Sequence, residues 1–145
     1  GRVHRPLWID LGGIAKGYAV DRAIERVADD RVVRWIVNAG GDLRVAGQGA
    51  EPVLLQTDRP TAEGAAMLEL EDASLASSRD APASPAGPGV ATTSGGAAGA
   101  SAVHVDGRNR RATAGGSFVS VVAKDCAVAD ALTKVVLALR EQSAI

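Results

Sequence analysis

The feature that most constrains the fold is a pair of strand-like segments joined by a short turn with two glycines. Residues 32–37 are mostly apolar or β-branched, residues 38–42 include Gly40 and Gly41, and residues 43–45 resume the strand-like pattern. A turn this short joins neighbouring antiparallel strands, whereas parallel strands need a long crossover. The sequence therefore predicts an antiparallel hairpin. It leaves open whether the glycines also bring the backbone close to a ligand.

The remaining pattern predicts a fold of the α+β class. We expect further strands at residues 7–9, 53–57, 67–70 and 118–123, and helices at residues 14–27 and 127–140. In the first helix, Ile14, Val20, Ile24 and Val27 are placed on the buried face, and Asp21 on the opposite, polar face. An Ala, Gly, Ser and Pro-rich segment at about 79–101 is predicted to be a surface loop. The expected architecture is a mainly antiparallel sheet with flanking helices, in one domain over residues 1–145.

Composition excludes several classes of protein. The chain is 46% apolar and 23% charged with a net charge of -1, which argues against wholesale disorder and against a nucleic-acid partner. One cysteine, Cys126, excludes a cysteine-rich zinc site and an internal disulfide framework. The longest apolar run, residues 135–139, is too short for a transmembrane segment.

The segment from Asp10 to Gly17 is the first candidate site, because it lies where a strand hands over to a helix. Free N–H groups at a helix start, approached closely through Gly12 and Gly13, favour a phosphate group. Lys16 can add a positive charge, and Asp10 can accept hydrogen bonds from a ligand. The alternative is an ordinary helix start, with Asp10 as its cap and Lys16 in solvent.

The last predicted helix carries the second candidate site. Asp130 lies in an otherwise apolar stretch, so its carboxylate must face solvent, pair with a cation or bind a metal. Thr133 is one turn away and can approach the same ion. The alternative is a solvated helix face on which Asp130 and Lys134 form an ordinary ion pair.

His104 is a third candidate, which is either a general base or a solvated strand residue.

Together these segments resemble the ApbE family, the FAD:protein FMN transferases. The resemblance is carried by three blocks in the same order as in the family, covering residues 10–21, 37–47 and, near the end, 120–123 with 129–133. It corresponds to roughly the C-terminal half of a family member. The fold implied is ApbE-like, and the N-terminal half would be missing from this chain.

The resemblance implies an enzyme that transfers FMN from FAD to a Thr or Ser hydroxyl of an acceptor protein, with Mg²⁺ as cofactor. By position, Asp10, Lys16 and Val105 match FAD-contacting residues, and His104 is the candidate catalytic residue. The Gly13 backbone carbonyl and the Asp130 carboxylate match magnesium ligands, and Thr133 is the candidate for a further ligand. A membrane redox-complex subunit is the kind of acceptor implied, and the location implied is periplasmic or membrane-anchored. A non-catalytic flavin-binding or flavin-trafficking protein and an FAD pyrophosphatase are the alternatives.

The sequence departs from the family pattern at two positions that matter for this chemistry. The family's second metal ligand on the last helix is a Thr four residues after the Asp, and this chain has Lys134 there. An ammonium cannot ligate Mg²⁺, so either Thr133 substitutes or Lys134 contacts phosphate. The His of the family's His-x-x-Asp-Pro motif aligns with Val103, which would leave the neighbouring His104 on the opposite side of the strand.

Overall fold

The computed structural model describes residues 9–27, 31–55, 66–80, 104–108, 110–112 and 117–139. It contains two helices, α1 (Ala15–Val27) and α2 (Cys126–Leu139). The strands are β1 (Arg34–Ala39), β2 (Asp42–Gly47), β3 (Glu51–Leu54), β4 (Met67–Leu70), β5 (Ser74–Asp80), β6 (Val105–Asp106), β7 (Arg111–Ala112) and β8 (Ser117–Ala123). Within these residues, no helix has the length and apolar character needed to cross a membrane.

A four-stranded antiparallel sheet in the order β1-β2-β5-β8 forms the centre of the described structure. Its β1–β2 hairpin pairs Arg34 with Gly47 at one end and Ala39 with Asp42 at the other. Gly40 and Gly41 form the turn with φ values of 65° and 101°. Two positive φ values in succession match the twist of a tight hairpin, and glycine adopts them without steric cost. The predicted hairpin and the α+β class are confirmed.

The sheet has a different cover on each face. Both helices lie against one face and contact each other, with α1 over β1 and β2 and α2 over β5 and β8. On the other face, Leu43, Val45 and Leu75 pack against the β3–β4 hairpin through Leu70 and its neighbours. Because side chains alternate along a strand, Asp42 and Arg44 of β2 point towards the helices while Leu43 and Val45 point away. Charged groups are thereby placed between the helices and the sheet.

The sequence pattern did not predict strand β5, which belongs to the central sheet. It lies between β2 and β8 and pairs with β8 along its whole length, from Ser74 opposite Ala123 to Asp80 opposite Ser117. Its serines and alanine have low strand propensity, yet they are small enough for α2 to pack closely on them. Residues 79 and 80 therefore belong to a strand and not to the predicted loop, whose residues 81–101 lie outside the described part.

The other boundaries differ from the predictions by a few residues. Strand β1 begins two residues later than predicted and β3 two residues earlier, while β4 and the last strand and helix lie where expected. Of the predicted strand at residues 7–9, only Ile9 is described; it is outside any strand and exposed. Ile14 and Val27 were expected on the buried face of α1, but both are more than 40% exposed. The buried stripe of α1 is instead Gly17, Val20, Asp21 and Ile24.

Candidate functional site

The first part of the candidate site is an ion pair between α1 and β2. Lys16 Nζ lies 3.0 Å from Asp42 Oδ2, with the lysine side chain half exposed and the carboxylate fully buried. Burial raises the pKa of Asp42 above its usual value, and the neighbouring charge of Asp130 raises it further, against the opposing effect of Lys16. Lys16 is thus held at the start of α1 by a buried acid, and its exposed half remains open to a ligand.

The second part is the buried carboxylate of Asp130 on α2. Its Oδ2 atom accepts a hydrogen bond from the backbone N–H of Gly17 at 3.2 Å, and its Oδ1 atom pairs with Lys134 Nζ. Burial alone would raise the pKa of Asp130, but the Lys134 ammonium and the Gly17 N–H outweigh it and hold the pKa below its usual value. Asp130 is therefore a carboxylate at neutral pH. The predicted Asp130–Lys134 pair is present, but it is buried and not on a solvated face.

A chain of hydrogen bonds links Lys134 to β5. Lys134 Nζ donates to Ser78 Oγ at 2.9 Å, and Ser78 Oγ lies 2.7 Å from Thr133 Oγ1. Thr133 Oγ1 in turn donates to the backbone carbonyl of Asp130 at 2.7 Å. Because a hydroxyl has one proton, Ser78 must be the donor to Thr133. The Thr133 hydroxyl therefore donates its one proton to the Asp130 carbonyl and accepts a hydrogen bond from Ser78.

Gly13 and Asp10 lie at the start of α1, at different distances from this network. A Cβ added at Gly13 would lie 3.5–3.9 Å from the Lys134 side-chain carbons, so the lysine stem lies beside Gly13. Asp10 is exposed, and its Oδ1 atom accepts a hydrogen bond from the Gly12 N–H at 2.8 Å. The structure thus joins Asp130 and Thr133 in one hydrogen-bond network with Gly13 beside it, and the charge of Lys16 acts on Asp130. It places Asp10 at the adjoining loop.

His104 and Val105 lie in a separate part of the described structure, beside β6. Val105 is 61% exposed, and Asp106 is bound by the Arg108 guanidinium at 2.8 Å. These hydrogen bonds from Arg108 hold the pKa of Asp106 below its usual value. Arg108 also donates to the carbonyl of Ala138. Ala138 is eight residues after Asp130, about 12 Å along the helix, so this segment is anchored towards the far end of α2.

Asp21 is a structural residue that the sequence pattern misplaced. It was expected on the polar face of α1, but it is buried and accepts backbone N–H bonds from Cys126 and Ala127, both at 2.9 Å. Arg44 Nη1 lies 2.6 Å from the same carboxylate. Asp21 therefore caps the start of α2 from a different helix. The signal was in the sequence, because Gly17, Val20, Asp21 and Ile24 have the i, i+3, i+4, i+7 spacing of one helix face.

Cys126 is buried close to the carboxylates that lie between the helices and the sheet. Burial raises the pKa of its thiol to about 12, with further contributions from the charges of Asp42, Asp21 and Asp130. A thiol with so high a pKa is not a nucleophile at neutral pH. Cys126 is a small buried residue.

A cavity of about 460 Å³ opens on the side of the sheet that faces the β3–β4 hairpin. Its lining combines an apolar wall with polar groups at the turn and along β5, and consists of Asn38, Gly40, Gly41, Leu43, Val53, Leu54, Leu55, Leu75, Ser77, Ser78, Arg79 and Phe118. This volume and mixture are typical of small-molecule sites. Ser78 belongs both to the lining and to the Lys134 network, so the cavity adjoins the charged layer. Neither Ser78 nor Asp42 was among the predicted site residues.

Fold and site together define an α+β domain in which two buried carboxylates, each paired with a lysine, lie beside a ligand-sized cavity. Residues 2–145 match the model of the ApbE family, and the chain belongs to that family. Over 80 residues it is 31% identical to the FAD:protein FMN transferase of Haemophilus influenzae, covering 51% of this chain and 23% of that protein. The resemblance deduced from the sequence is confirmed.

The fold is shared with a solved structure of the same family. The apo crystal structure of the flavinyl transferase ApbE from Pseudomonas stutzeri matches with a TM-score of 0.56 at 20% sequence identity. The match covers 90% of this chain and 38% of that one. The chain therefore spans less than half the length of either relative.

Proposed function

We propose that the protein to which this chain belongs transfers FMN from FAD to a Thr or Ser hydroxyl of an acceptor protein. The observation that carries the proposal is that Ser78 lines a cavity with an apolar wall and also accepts a hydrogen bond from Lys134. An apolar wall favours binding of the flat flavin ring of FAD, and fixed positive charge favours binding of its diphosphate. Family membership supports the same reaction, because the curated relative is named for it.

The reaction is a phosphoryl transfer, in which a hydroxyl oxygen of the acceptor attacks the FMN phosphorus of FAD. A new phosphorus–oxygen bond forms, the bond to the bridging oxygen breaks, AMP leaves and the hydroxyl proton is released. Such transfers depend on positioning and on neutralising negative charge. Lys16, held by Asp42, would place an ammonium against the diphosphate at the start of α1. The Gly13 N–H would add a donor there, whereas the Gly12 N–H already donates to Asp10.

Mg²⁺ is the cofactor that the family resemblance implies, and the residues present do not fit an open site for it. Mg²⁺ requires near-octahedral oxygen ligands. Asp130 Oδ1 is paired with Lys134, Asp130 Oδ2 accepts from Gly17, and the Thr133 hydroxyl is committed to Ser78 and to the Asp130 carbonyl. Among the residues that the structure describes, no three His, Cys, Asp or Glu side chains converge on one point. No step is assigned to a metal here, and the Mg²⁺ requirement stays a prediction.

The proposed reaction is tested by incubating the purified protein with FAD, MgCl₂ and a redox-complex subunit that accepts covalent FMN. We expect a fluorescent flavin band on the acceptor after denaturing electrophoresis, together with one AMP for each labelled acceptor. AMP released without labelling would instead indicate an FAD pyrophosphatase. Bound flavin with neither product would indicate a flavin-binding or flavin-trafficking protein. The periplasmic or membrane-anchored location also stays a prediction.

Lys16→Met tests the contribution of the α1 lysine to flavin binding. We expect the dissociation constant for FAD to rise by about tenfold or more, since a hydrogen bond to a charged group contributes about 1.5–3 kcal/mol. Binding would be measured by quenching of flavin fluorescence. Arg26→Met is the matched control, because it removes an exposed cation near the other end of the same helix. Equal FAD affinity of Lys16→Met and wild type would remove Lys16 from the site.

A further inference from the structure

We propose that Lys134 occupies the metal position of this site, so that its ammonium supplies the positive charge that the resemblance assigns to Mg²⁺. The proposal concerns the charge next to Asp130 and holds whether or not the protein transfers flavin. Its starting point is the identity of residue 134, which is a lysine where the family pattern has a metal-ligating Thr.

The contacts of the ammonium carry the proposal. Lys134 Nζ binds Asp130 Oδ1 and donates to Ser78 Oγ at 2.9 Å. Its stem lies beside Gly13, where an added Cβ would be 3.5–3.9 Å from the stem carbons. Of the ligand positions that the resemblance implies, Asp130 therefore binds this ammonium directly, Gly13 lies beside its stem, and the position of the family's Thr is residue 134 itself. Thr133, the candidate substitute ligand, reaches the ammonium through Ser78.

The charge balance between the helices and the sheet supports the same proposal. Asp42 and Asp130 are both fully buried, and each is paired with one lysine, Lys16 and Lys134 respectively. The two negative charges are matched by two positive charges. A divalent ion bound at Asp130 would have to displace the Lys134 ammonium or lie directly against it. Displacing the ammonium would break its ion pair with the buried Asp130. An ion lying against the ammonium would be repelled, because like charges repel strongly where water is excluded.

The obvious test is to restore the residue type of the family. In Lys134→Thr, we expect Mn²⁺, followed by its electron paramagnetic resonance signal, to bind at least about tenfold more tightly than to wild type, because a repelling unit charge has been removed. Adding Asp130→Asn to Lys134→Thr should abolish the gained binding, which locates the ion at this carboxylate. Mg²⁺ should compete for the same site. Flavin is not needed for any of these measurements.

Thermal unfolding gives a second readout. The Tm of wild type should be the same in EDTA and in MgCl₂, since its counter-charge is covalently attached. Lys134→Thr should have a lower Tm in EDTA and should regain part of the loss with MgCl₂. Lys134→Met, which offers neither a charge nor a ligand oxygen, should lose stability in both conditions.

Two results would overturn the proposal. One is tight Mn²⁺ binding to wild type that Asp130→Asn abolishes, a measurement that does not depend on whether any Lys134 variant folds. The other is a folded Lys134→Thr that binds Mn²⁺ no better than wild type, because Lys134 would then not be excluding a metal. Mn²⁺ binding and thermal unfolding are measured without flavin. Both tests therefore stand even if the protein does not transfer flavin.

Discussion

Asp21→Ala should lower the free energy of unfolding by about 3 kcal/mol, the cost typical of removing one partner of a buried ion pair. The carboxylate accepts two backbone N–H groups at the start of α2 and pairs with Arg44 at 2.6 Å. Its loss leaves a mostly buried guanidinium, whose remaining carboxylate is Asp125 at 3.5 Å. Urea denaturation followed by circular dichroism would measure the change.

Glu25→Ala is the matched control for Asp21→Ala, because it removes a carboxylate of the same helix that is half exposed and pairs with Arg22. Its unfolding free energy should stay within about 0.5 kcal/mol of wild type. Equal effects of the two substitutions would show that Asp21 does not connect α1 to α2.

The same carboxylate should make the fold sensitive to acid. Burial raises the pKa of Asp21, but the N–H groups of Ala127 and Cys126 and the Arg44 guanidinium outweigh it and lower the pKa below its usual 3.8. A folded-state pKa below the unfolded one contributes stability that is present above the unfolded pKa and is lost as pH falls through the folded one. Wild-type stability should therefore fall below about pH 4. Asp21→Asn should show a shallower fall, and not a flat one, because the pKa of Asp130 is also lowered.

Gly17→Ala should destabilise the protein by about 2 kcal/mol or more, although alanine is the better helix former by about 1 kcal/mol. A Cβ at Gly17 would lie 2.3 Å from the carbonyl oxygen of Cys126 and 2.8 Å from the Cα atom of Ala127. These are backbone atoms of α2, so only a movement of one helix can relieve the overlap. That movement would also pull the Gly17 N–H from Asp130, so weaker FAD binding should accompany the loss of stability.

The control for Gly17→Ala is Gly107→Ala, where an added Cβ meets no atom within 4 Å. The unfolding free energy of this variant should be near that of wild type. Denaturant titrations of both variants would give the comparison. A Gly17→Ala protein as stable as wild type would contradict the close helix contact and, with it, the position of the Asp130 carboxylate.

The elements with a strong local pattern in the sequence were predictable, whereas strand β5, which was not predicted, has no such pattern. The β1–β2 hairpin follows from two strand-like runs and the positive φ of Gly40 and Gly41, which are properties of neighbouring residues. Strand β5 has no such signal. Its serines and alanine are tolerated because β2 and β8 supply hydrogen bonds on both sides and α2 covers one face. That environment comes from distant parts of the chain, so a reading of local propensity assigns β5 no structure.

The candidate site, too, was predictable from the sequence only in part. The sequence predicted Lys16, Asp130 and Thr133 as site residues, and it offered an Asp130–Lys134 ion pair as an alternative, which the structure contains. It did not indicate that Asp42 would be the buried partner of Lys16, or that Ser78 would join the Lys134 network to the cavity. Those pairings depend on which face of each strand the helices cover.

By itself, then, the sequence determined the chain's family, its antiparallel hairpin and the residues that carry charge into the first and last helices. Only the tertiary structure decided that Asp21 caps α2, and that the Asp130–Lys134 pair lies against β5 with its ammonium bound to Ser78. The physical reason is that a charge on an amphipathic helix has two outcomes, solvation or burial with a partner. The partner is brought by another segment: Asp21 is 105 residues from Cys126, and Lys134 is 56 from Ser78.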